Sequence, residues 1–119
     1  MQPNDDILAI YVPCGSESEA ATIASTLLQE NLIACANIYA SRSLYVWHGK
    51  LEDQAEYVMF AKTTRLRAAA AESRIASMHS YETPCILVFP PESVNHSYSN
   101  WVRGAVSGGS SVDSEAATS

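Results

Sequence analysis

The chain has 119 residues, of which 47% are hydrophobic and 17% charged, a composition that predicts one folded domain and excludes a disordered protein. Its 13 acidic and 7 basic side chains give a formal net charge of -6, so nucleic acid and anionic membranes are not expected partners. We expect residues 1–107 to fold and the small, polar residues 108–119 to form a disordered tail.

The sequence predicts neither a membrane-spanning segment nor a secretory signal. No apolar stretch reaches the roughly 18 residues that a membrane-spanning helix needs. The first residues, MQPNDDI, lack the basic and apolar regions of a secretory signal. Cys14, Cys35 and Cys85 form neither a C-x-x-C pair nor an even disulfide set. We therefore expect a cytoplasmic protein with reduced thiols, in which Cys35 and Cys85 belong to the core.

The first predicted unit is a strand followed by a helix. Residues 7–12, ILAIYV, form a short apolar run typical of a strand buried on both faces. Ser16 and Glu19 have the spacing of a capping box, so a helix should begin there and end near Asn31. Its apolar positions recur at three- and four-residue steps and comprise Ala20, Ile23, Ala24, Leu27 and Leu28.

The stretch YVWHGKLE, residues 45–52, predicts the tip of a long β-hairpin. We expect a second strand over 32–39 that continues, after a break at 40–42, into SLYVWH. Gly49 supplies the turn residue, the polar KLEDQA completes a loop, and the third strand covers 56–63.

The arms of this hairpin are too long for one small domain to cover. An extended strand rises about 3.3 Å per residue, so the arm from Leu32 to Trp47 would reach roughly 50 Å. An unpaired apolar edge of that length favours aggregation, and a closed ring of subunits would cover it.

The second half of the chain repeats the pattern of helix and strand. Thr63 or Thr64 can cap a helix that ends near Met78. Its predicted buried side comprises Leu66, Ala69, Ala70, Ile75 and Met78. CILVF, residues 85–89, predicts a fourth strand, and one amphipathic turn or two follow, with Tyr98, Trp101, Val102 and Ala105 on one side. The order predicts an α+β, ferredoxin-like βαββαβ fold: an antiparallel sheet with the first and third strands central and two helices on one face.

Several motifs in this order resemble the divalent-cation tolerance family called CutA. They are ENLIACANIY, SLYVWHGKLE, Glu56 with the pair Lys62 and Thr63, the pattern H-x-Y-x-T-P that begins at His79, and Trp101. The resemblance covers roughly residues 7–105. It implies a tight homotrimer, similar to that of the PII signalling proteins, in which the hairpin contacts other subunits. The family usually has Pro between the His and the Tyr, where this chain has Ser80.

The resemblance implies that Cys14 and His79 are metal ligands. A thiolate with an imidazole suits copper or zinc rather than magnesium or calcium. The predicted topology places the two residues at opposite ends of the sheet within one subunit, so a shared site would lie between subunits. The alternative is that Cys14 is a small buried hydrophobe and that His79 orients a loop. An acidic third ligand proposed near the C-terminus of some members has no counterpart here.

A second set of residues is expected to form a subunit interface or a cleft between subunits. His48 at the hairpin tip and His79 at the end of the second helix should lie at the same end of the sheet. Lys62 and Glu56 can form an ion pair, and Trp rings are favoured at interfaces. The predicted members are Trp47, His48, Lys50, Glu56, Lys62, Tyr81 and Trp101.

Three hypotheses for function follow, and an enzyme is not among them. The sequence has no G-x-S-x-G elbow, phosphate-binding loop or H-E-x-x-H motif. The first hypothesis is a cytoplasmic homotrimer that binds divalent metal ions, copper foremost, and contributes to divalent-cation tolerance. The second is a PII-like signalling module that holds a small ligand in clefts between subunits. The third is a structural trimer that recruits a partner protein.

Overall fold

A computed structural model describes residues 6–108. Within them the elements are β1 (Ile7–Cys14), α1 (Glu17–Gln29), β2 (Cys35–Trp47), β3 (Lys50–Thr64), α2 (Arg65–Met78), β4 (Leu87–Phe89) and α3 (His96–Ala105). The strands form one antiparallel sheet in the order β2-β3-β1-β4, so β1 and β3 are central. The predicted α+β fold is confirmed. The predicted tail, apart from residue 108, lies outside the described residues.

The first helix, α1, places one apolar stripe against the sheet. Its start is capped as predicted, because Ser16 Oγ accepts a hydrogen bond from the Glu19 N–H at 3.1 Å. Its buried residues are Ala20, Ile23, Ala24 and Leu27. The prediction was wrong for Leu28, which is 43% exposed, because it follows Leu27 by about 100° around the helix and leaves the stripe. Asn31 has a φ of 60°, the left-handed conformation expected beyond the helix end.

The second helix, α2, buries a different face from the one predicted. Its buried residues are Ala68, Ala71 and Ile75. Leu66, Ala69 and Ala70 are exposed, so those predictions were wrong, whereas Met78 packs at the margin of the core. Alanine-rich segments carry a weak apolar pattern that fits several helix faces, and here Ile75 determines which face is buried. Thr64 precedes the helix but makes no side-chain capping bond.

The strands β2 and β3 form one continuous hairpin. All residues from Cys35 to Trp47 pair with β3, and Trp47 lies opposite Lys50. The predicted break at 40–42 and the predicted KLEDQA loop are both absent from this part of the described chain. The turn consists of His48 and Gly49, with φ of 52° and 77°. Two successive residues of positive φ give the turn that best matches the twist of paired strands.

The outer part of the hairpin extends beyond the helices, so most of its side chains on both faces contact solvent. Polar residues can therefore occupy these strands. Arg42 donates two hydrogen bonds to Asp53 across the strands, at 2.9 and 2.7 Å, at the position where a break was predicted. The hairpin stretches the molecule to 48 Å along its longest axis, against 27 and 23 Å along the others.

Two apolar clusters stabilise the domain. The larger lies between the sheet and the helices α1 and α2 and includes Ile10, Val12, Ile23, Leu27, Met59 and Ile75. The smaller lies under α3 and comprises Ile7, Ala34, Val102 and Val106, with Tyr98, Trp101 and Ala105 packed against it. This confirms the predicted apolar side of the last helix. None of the helices in residues 6–108 has the length and apolar character required to cross a bilayer.

Candidate functional site

The loop that follows α2 crosses the end of the sheet where β1 finishes. The His79 Nε2–H donates to the Pro13 carbonyl oxygen at 2.8 Å, and His79 Nδ1 accepts from the Tyr81 N–H at 3.1 Å. A carbonyl only accepts and a backbone N–H only donates, so both ring nitrogens of His79 are engaged by the backbone. The His79 side chain has an exposed fraction of 0%.

The expectation that Cys14 and His79 lie at opposite ends of the sheet was wrong. The helix α2 begins beside the start of β1, where the Arg65 N–H donates to the Asp6 carbonyl oxygen at 2.8 Å. It ends at His79, beside the finish of β1. Because β3 runs antiparallel to β1 and α2 runs back along β3, α2 and β1 have the same direction.

Cys14 is a fully buried thiol at this end of the sheet. Its Sγ lies 3.7 Å from the Val12 carbonyl oxygen, a weak hydrogen bond. Burial, followed by the negative charges of Glu19 and Glu56, raises the pKa of the Cys14 thiol to about 12. A cysteine must ionise to bind a metal ion strongly, and this environment opposes ionisation.

The residues that the resemblance assigned to a metal therefore do not fit one as they are folded. Cys14 is held as a neutral thiol, and both nitrogens of His79 already have partners. Among residues 6–108, no group of three or more His, Cys, Asp and Glu side chains is placed to hold a metal ion. The geometry favours the alternative in which Cys14 is core and His79 orients the loop.

Glu19 fastens the loop to the start of α1. Its carboxylate accepts hydrogen bonds from the Gly15 N–H at 2.9 Å, the Ser80 N–H at 2.8 Å and the Ser80 hydroxyl at 3.1 Å. Burial raises the pKa of Glu19, but the hydrogen bonds from Ser80 and Gly15 outweigh burial and hold that pKa below its ordinary value. A proline at position 80 has no N–H to donate. Ser80 thus makes two hydrogen bonds to Glu19, neither of which a proline at this position could make.

A cleft of about 460 Å³ lies between this loop and the outer half of the hairpin. Its volume falls within the usual range for small-molecule sites. Its walls come from β1, β2, β3 and the loop, and the lining residues are Pro13, Ser43, Tyr45, Trp47, Gln54, Glu56, Tyr81, Glu82, Thr83 and Cys85. Neither Lys nor Arg lines it.

Glu56 is the buried charge of the cleft, with 6% of its surface exposed. The Tyr81 hydroxyl donates to Glu56 Oε2 at 2.6 Å, and the Ser43 hydroxyl donates to Glu56 Oε1. Burial, together with the Glu56 carboxylate, raises the pKa of the Tyr81 phenol well above its ordinary value. Tyr81 therefore remains a neutral donor at physiological pH.

The structure brings together three of the seven residues predicted for an interface or cleft. Trp47, Glu56 and Tyr81 line the same cleft. The hairpin tip carries His48, whose ring lies 4.9 Å from that of Trp47, and Lys50, which pairs with Trp47 outside the lining.

The remaining two, Lys62 and Trp101, lie elsewhere in the subunit. Lys62 donates to Asn37 and does not pair with Glu56 within the subunit, because six residues of one strand separate them by about 20 Å. Trp101 stacks on Tyr98 one turn earlier in α3, with ring centroids 5.7 Å apart.

The predicted cleft set did not include the neighbours of Trp47 on the same strand. Ser43, Tyr45 and Trp47 alternate along β2 and point to one face, a period-two signal that lies within the predicted strand segment SLYVWH. Cys85 was predicted to be core and is exposed, because β4 begins only at Leu87 and the cysteine precedes it.

Known proteins match most of this chain in sequence. The sequence profile of the CutA1 divalent ion tolerance protein family matches residues 8–105. The divalent-cation tolerance protein CutA of Archaeoglobus fulgidus is 38% identical over 97 residues, which are 82% of this chain and 95% of that protein.

Solved structures share the fold. A crystal structure of the divalent ion tolerance protein CutA1 from Ehrlichia chaffeensis has a TM-score of 0.83 at 31% identity, covering 87% of this chain and 97% of that one. The Archaeoglobus fulgidus structure, described as a periplasmic divalent cation tolerance protein, has a TM-score of 0.81 at 36% identity, covering 84% and 98%.

The sheet order and the two helices packed on the sheet define a ferredoxin-like domain that carries a projecting β-hairpin. With the matches above, this chain belongs to the CutA1 divalent ion tolerance protein family.

Proposed function

We propose that this chain acts as a homotrimer that contributes to the tolerance of divalent cations, copper foremost. The names of its relatives support a role in tolerance and describe no catalysed reaction. The observation that carries the proposal of an assembly is the unburied hairpin. Leu44, Val46 and Leu51 are 60%, 67% and 71% exposed, and we call these three residues the hairpin patch.

The residues of the hairpin patch form one contiguous apolar surface and are not scattered. Val46 and Leu51 are directly opposite in the strand register, and Leu44 lies two residues before Val46 on the same face. The cleft residues Ser43, Tyr45 and Trp47 point to the other face. Contiguous exposed apolar surface of this kind marks a protein interface. A closed ring of copies would cover it without leaving an open end.

Growth in copper tests the role in tolerance. A bacterial strain without its own family member would carry the wild-type chain, a Val46→Lys variant or a Leu66→Lys variant. Leu66 is a matched control, because it is 68% exposed but lies on α2 away from the hairpin. We expect the wild type and Leu66→Lys to raise the copper concentration that halves growth and Val46→Lys to fail. A wild-type chain without effect on copper tolerance would contradict the proposal.

We also propose a cytoplasmic location, supported by the three unpaired thiols of the described chain. The Archaeoglobus fulgidus relative is described as periplasmic. Cell fractionation distinguishes a cytoplasmic from a periplasmic location. We expect the chain in the cytosolic fraction, and its recovery with periplasmic markers would contradict this part of the proposal.

A second candidate function is the binding of a small ligand in the cleft, as in a PII-like module. The observation that favours it is the cleft itself, with one buried carboxylate and several aromatic walls. Thermal-shift measurements against a panel of small metabolites and metal ions would test it. Stabilisation by a metabolite that is lost in a Trp47→Ala variant is the expected result, and stabilisation by metal ions alone would contradict it.

A further inference from the structure

Three aromatic side chains line the cleft, and they come from two separate parts of the chain. Tyr45 and Trp47 lie on one face of β2, and Tyr81 lies on the loop after α2. The His79 ring packs edge-on against Tyr81, with centroids 4.7 Å apart, and the Tyr81 hydroxyl is held by Glu56. This holds Tyr81 in a single orientation.

The charge of the cleft is negative. Glu56 receives one donor on each carboxylate oxygen, the pattern expected of an ionised carboxylate, and each oxygen keeps further acceptor capacity. Glu82 adds a second carboxylate to the lining, and no Lys or Arg belongs to it. The cleft therefore repels anions and attracts cations.

A positively charged organic group satisfies both features together. Aromatic faces attract an ammonium group through the ring quadrupole, most strongly Trp, and recognition of quaternary ammonium groups commonly uses such rings. A metal ion would gain little here, because aromatic carbons offer it no ligand and because, among residues 6–108, no three His, Cys, Asp or Glu side chains are placed to hold one, Cys85, Glu56 and Glu82 included.

We infer that this cleft binds a small organic cation that carries an ammonium group, which Glu56 neutralises and the rings of Tyr45, Trp47 and Tyr81 enclose. The inference rests on the second candidate function, the binding of a small ligand in the cleft. It specifies the chemical class of that ligand.

The test compares two probes that differ only in charge. Choline and 3,3-dimethylbutan-1-ol have nearly the same shape, but the alcohol has a neutral carbon where choline has its cationic nitrogen. Each would be titrated, at constant ionic strength, into the full chain with the substitution Trp101→Phe. The chain has two Trp residues, so Trp47 is then the only indole that reports on the cleft. We expect choline to change the Trp47 fluorescence with an affinity roughly tenfold or more above that of the alcohol.

Substitutions then locate the charge that is responsible. Glu56→Gln should weaken choline roughly tenfold or more and leave the alcohol unaffected. Glu72→Gln, which makes the same change on the exposed side of α2, should alter neither titration. As a second readout, choline should slow alkylation of Cys85, which is exposed and lines the cleft.

The outcomes separate the two claims. Equal binding of the alcohol and choline would overturn the inference while leaving a small-ligand cleft in place. Tight binding of acetate with no response to choline would overturn it in the same way. No response of Trp47 to any organic probe would overturn both the inference and the candidate function on which it rests. The comparison of probes needs no substitution at Glu56, so it holds even if Glu56→Gln fails to fold.

Discussion

Glu19 is the residue that fixes the geometry around the cleft. It joins the turn after β1 to the loop after α2 through three hydrogen bonds, and that loop supplies Tyr81 to the cleft wall. A carboxylate can accept all three because it has only acceptors. An amide in its place would turn a donor toward groups that are themselves donors.

We expect Glu19→Gln to lower the free energy of unfolding by about 1 to 3 kcal/mol at neutral pH. The pKa of Glu19 is lower in the folded chain than its ordinary value, so this stabilisation is complete above the ordinary carboxyl pKa and is lost as pH falls through the folded pKa. The difference between wild type and variant should therefore shrink between about pH 5 and pH 3.

Urea unfolding at fixed chain concentration would measure this difference. Glu17→Gln is the control, because Glu17 lies in the same first turn of α1 and is exposed. An equal loss in both variants would mean that helix-end charge, rather than the bonds to Gly15 and Ser80, accounts for the effect.

Cys14 should behave as a structural residue. Its pKa of about 12 leaves almost no thiolate at neutral pH, and its surface is buried. We expect iodoacetamide to leave Cys14 unmodified in the native chain and to modify it after unfolding in urea, as measured by peptide mass spectrometry. Alkylation of native Cys14 as fast as that of an unfolded peptide would contradict the buried geometry.

Among single residues, the sequence predicted local contacts better than contacts between residues far apart in the chain. The capping of α1 by Ser16 followed from local spacing alone. The three bonds of Glu19 to Gly15 and Ser80 could not be predicted, because Ser80 is 61 residues away in sequence and only the packing of α2 against α1 brings it close. For the same reason the hydrogen bond from His79 to the Pro13 carbonyl oxygen could not be predicted from the sequence.

At the scale of elements, the hairpin turn is the point at which the backbone is most constrained. Gly49 has a φ of 77°, and no atom lies within 4 Å of the position that a Cβ would occupy there. A substitution would therefore act through backbone conformation alone. Gly104 also has open space around its Cβ position but lies within α3, where alanine is preferred.

We expect Gly49→Ala to destabilise the chain by about 1 to 2 kcal/mol, since an L-residue pays this amount in the left-handed region. Gly104→Ala should stabilise it by about 0.5 to 1 kcal/mol. Thermal and urea unfolding of both variants would measure these changes. A neutral Gly49→Ala would show that the turn adopts another conformation in solution.

The order of the elements was predictable because apolar runs and helix caps are local signals. The hairpin arms were not fully predicted, because KLEDQA is polar and polar runs usually indicate loops. In the structure Asp53 pairs with Arg42 across the strands, a contact between residues 11 apart that offsets the low strand propensity of the segment. The buried face of α2 was missed because alanine periodicity does not distinguish its faces.

At the scale of the whole molecule, the two faces of the hairpin have different surroundings. One face presents Tyr45 and Trp47 to the cleft, and the other presents the hairpin patch to solvent. A single subunit leaves that patch uncovered, and the apolar side chains Leu87 and Phe89 of β4 are also 52% and 39% exposed. Burying such surface stabilises an assembly by roughly 25 cal/mol per Å² of apolar area. We therefore expect copies of the chain to assemble through the hairpin patch.

Native mass spectrometry of the wild-type chain at micromolar concentration measures this assembly. Val46→Lys places a charge in the middle of the hairpin patch and should yield the single chain, while Leu66→Lys should assemble like the wild type. For the wild type, we expect a dominant species at three times the chain mass of 12.9 kDa. A spectrum dominated by the mass of one chain would contradict it.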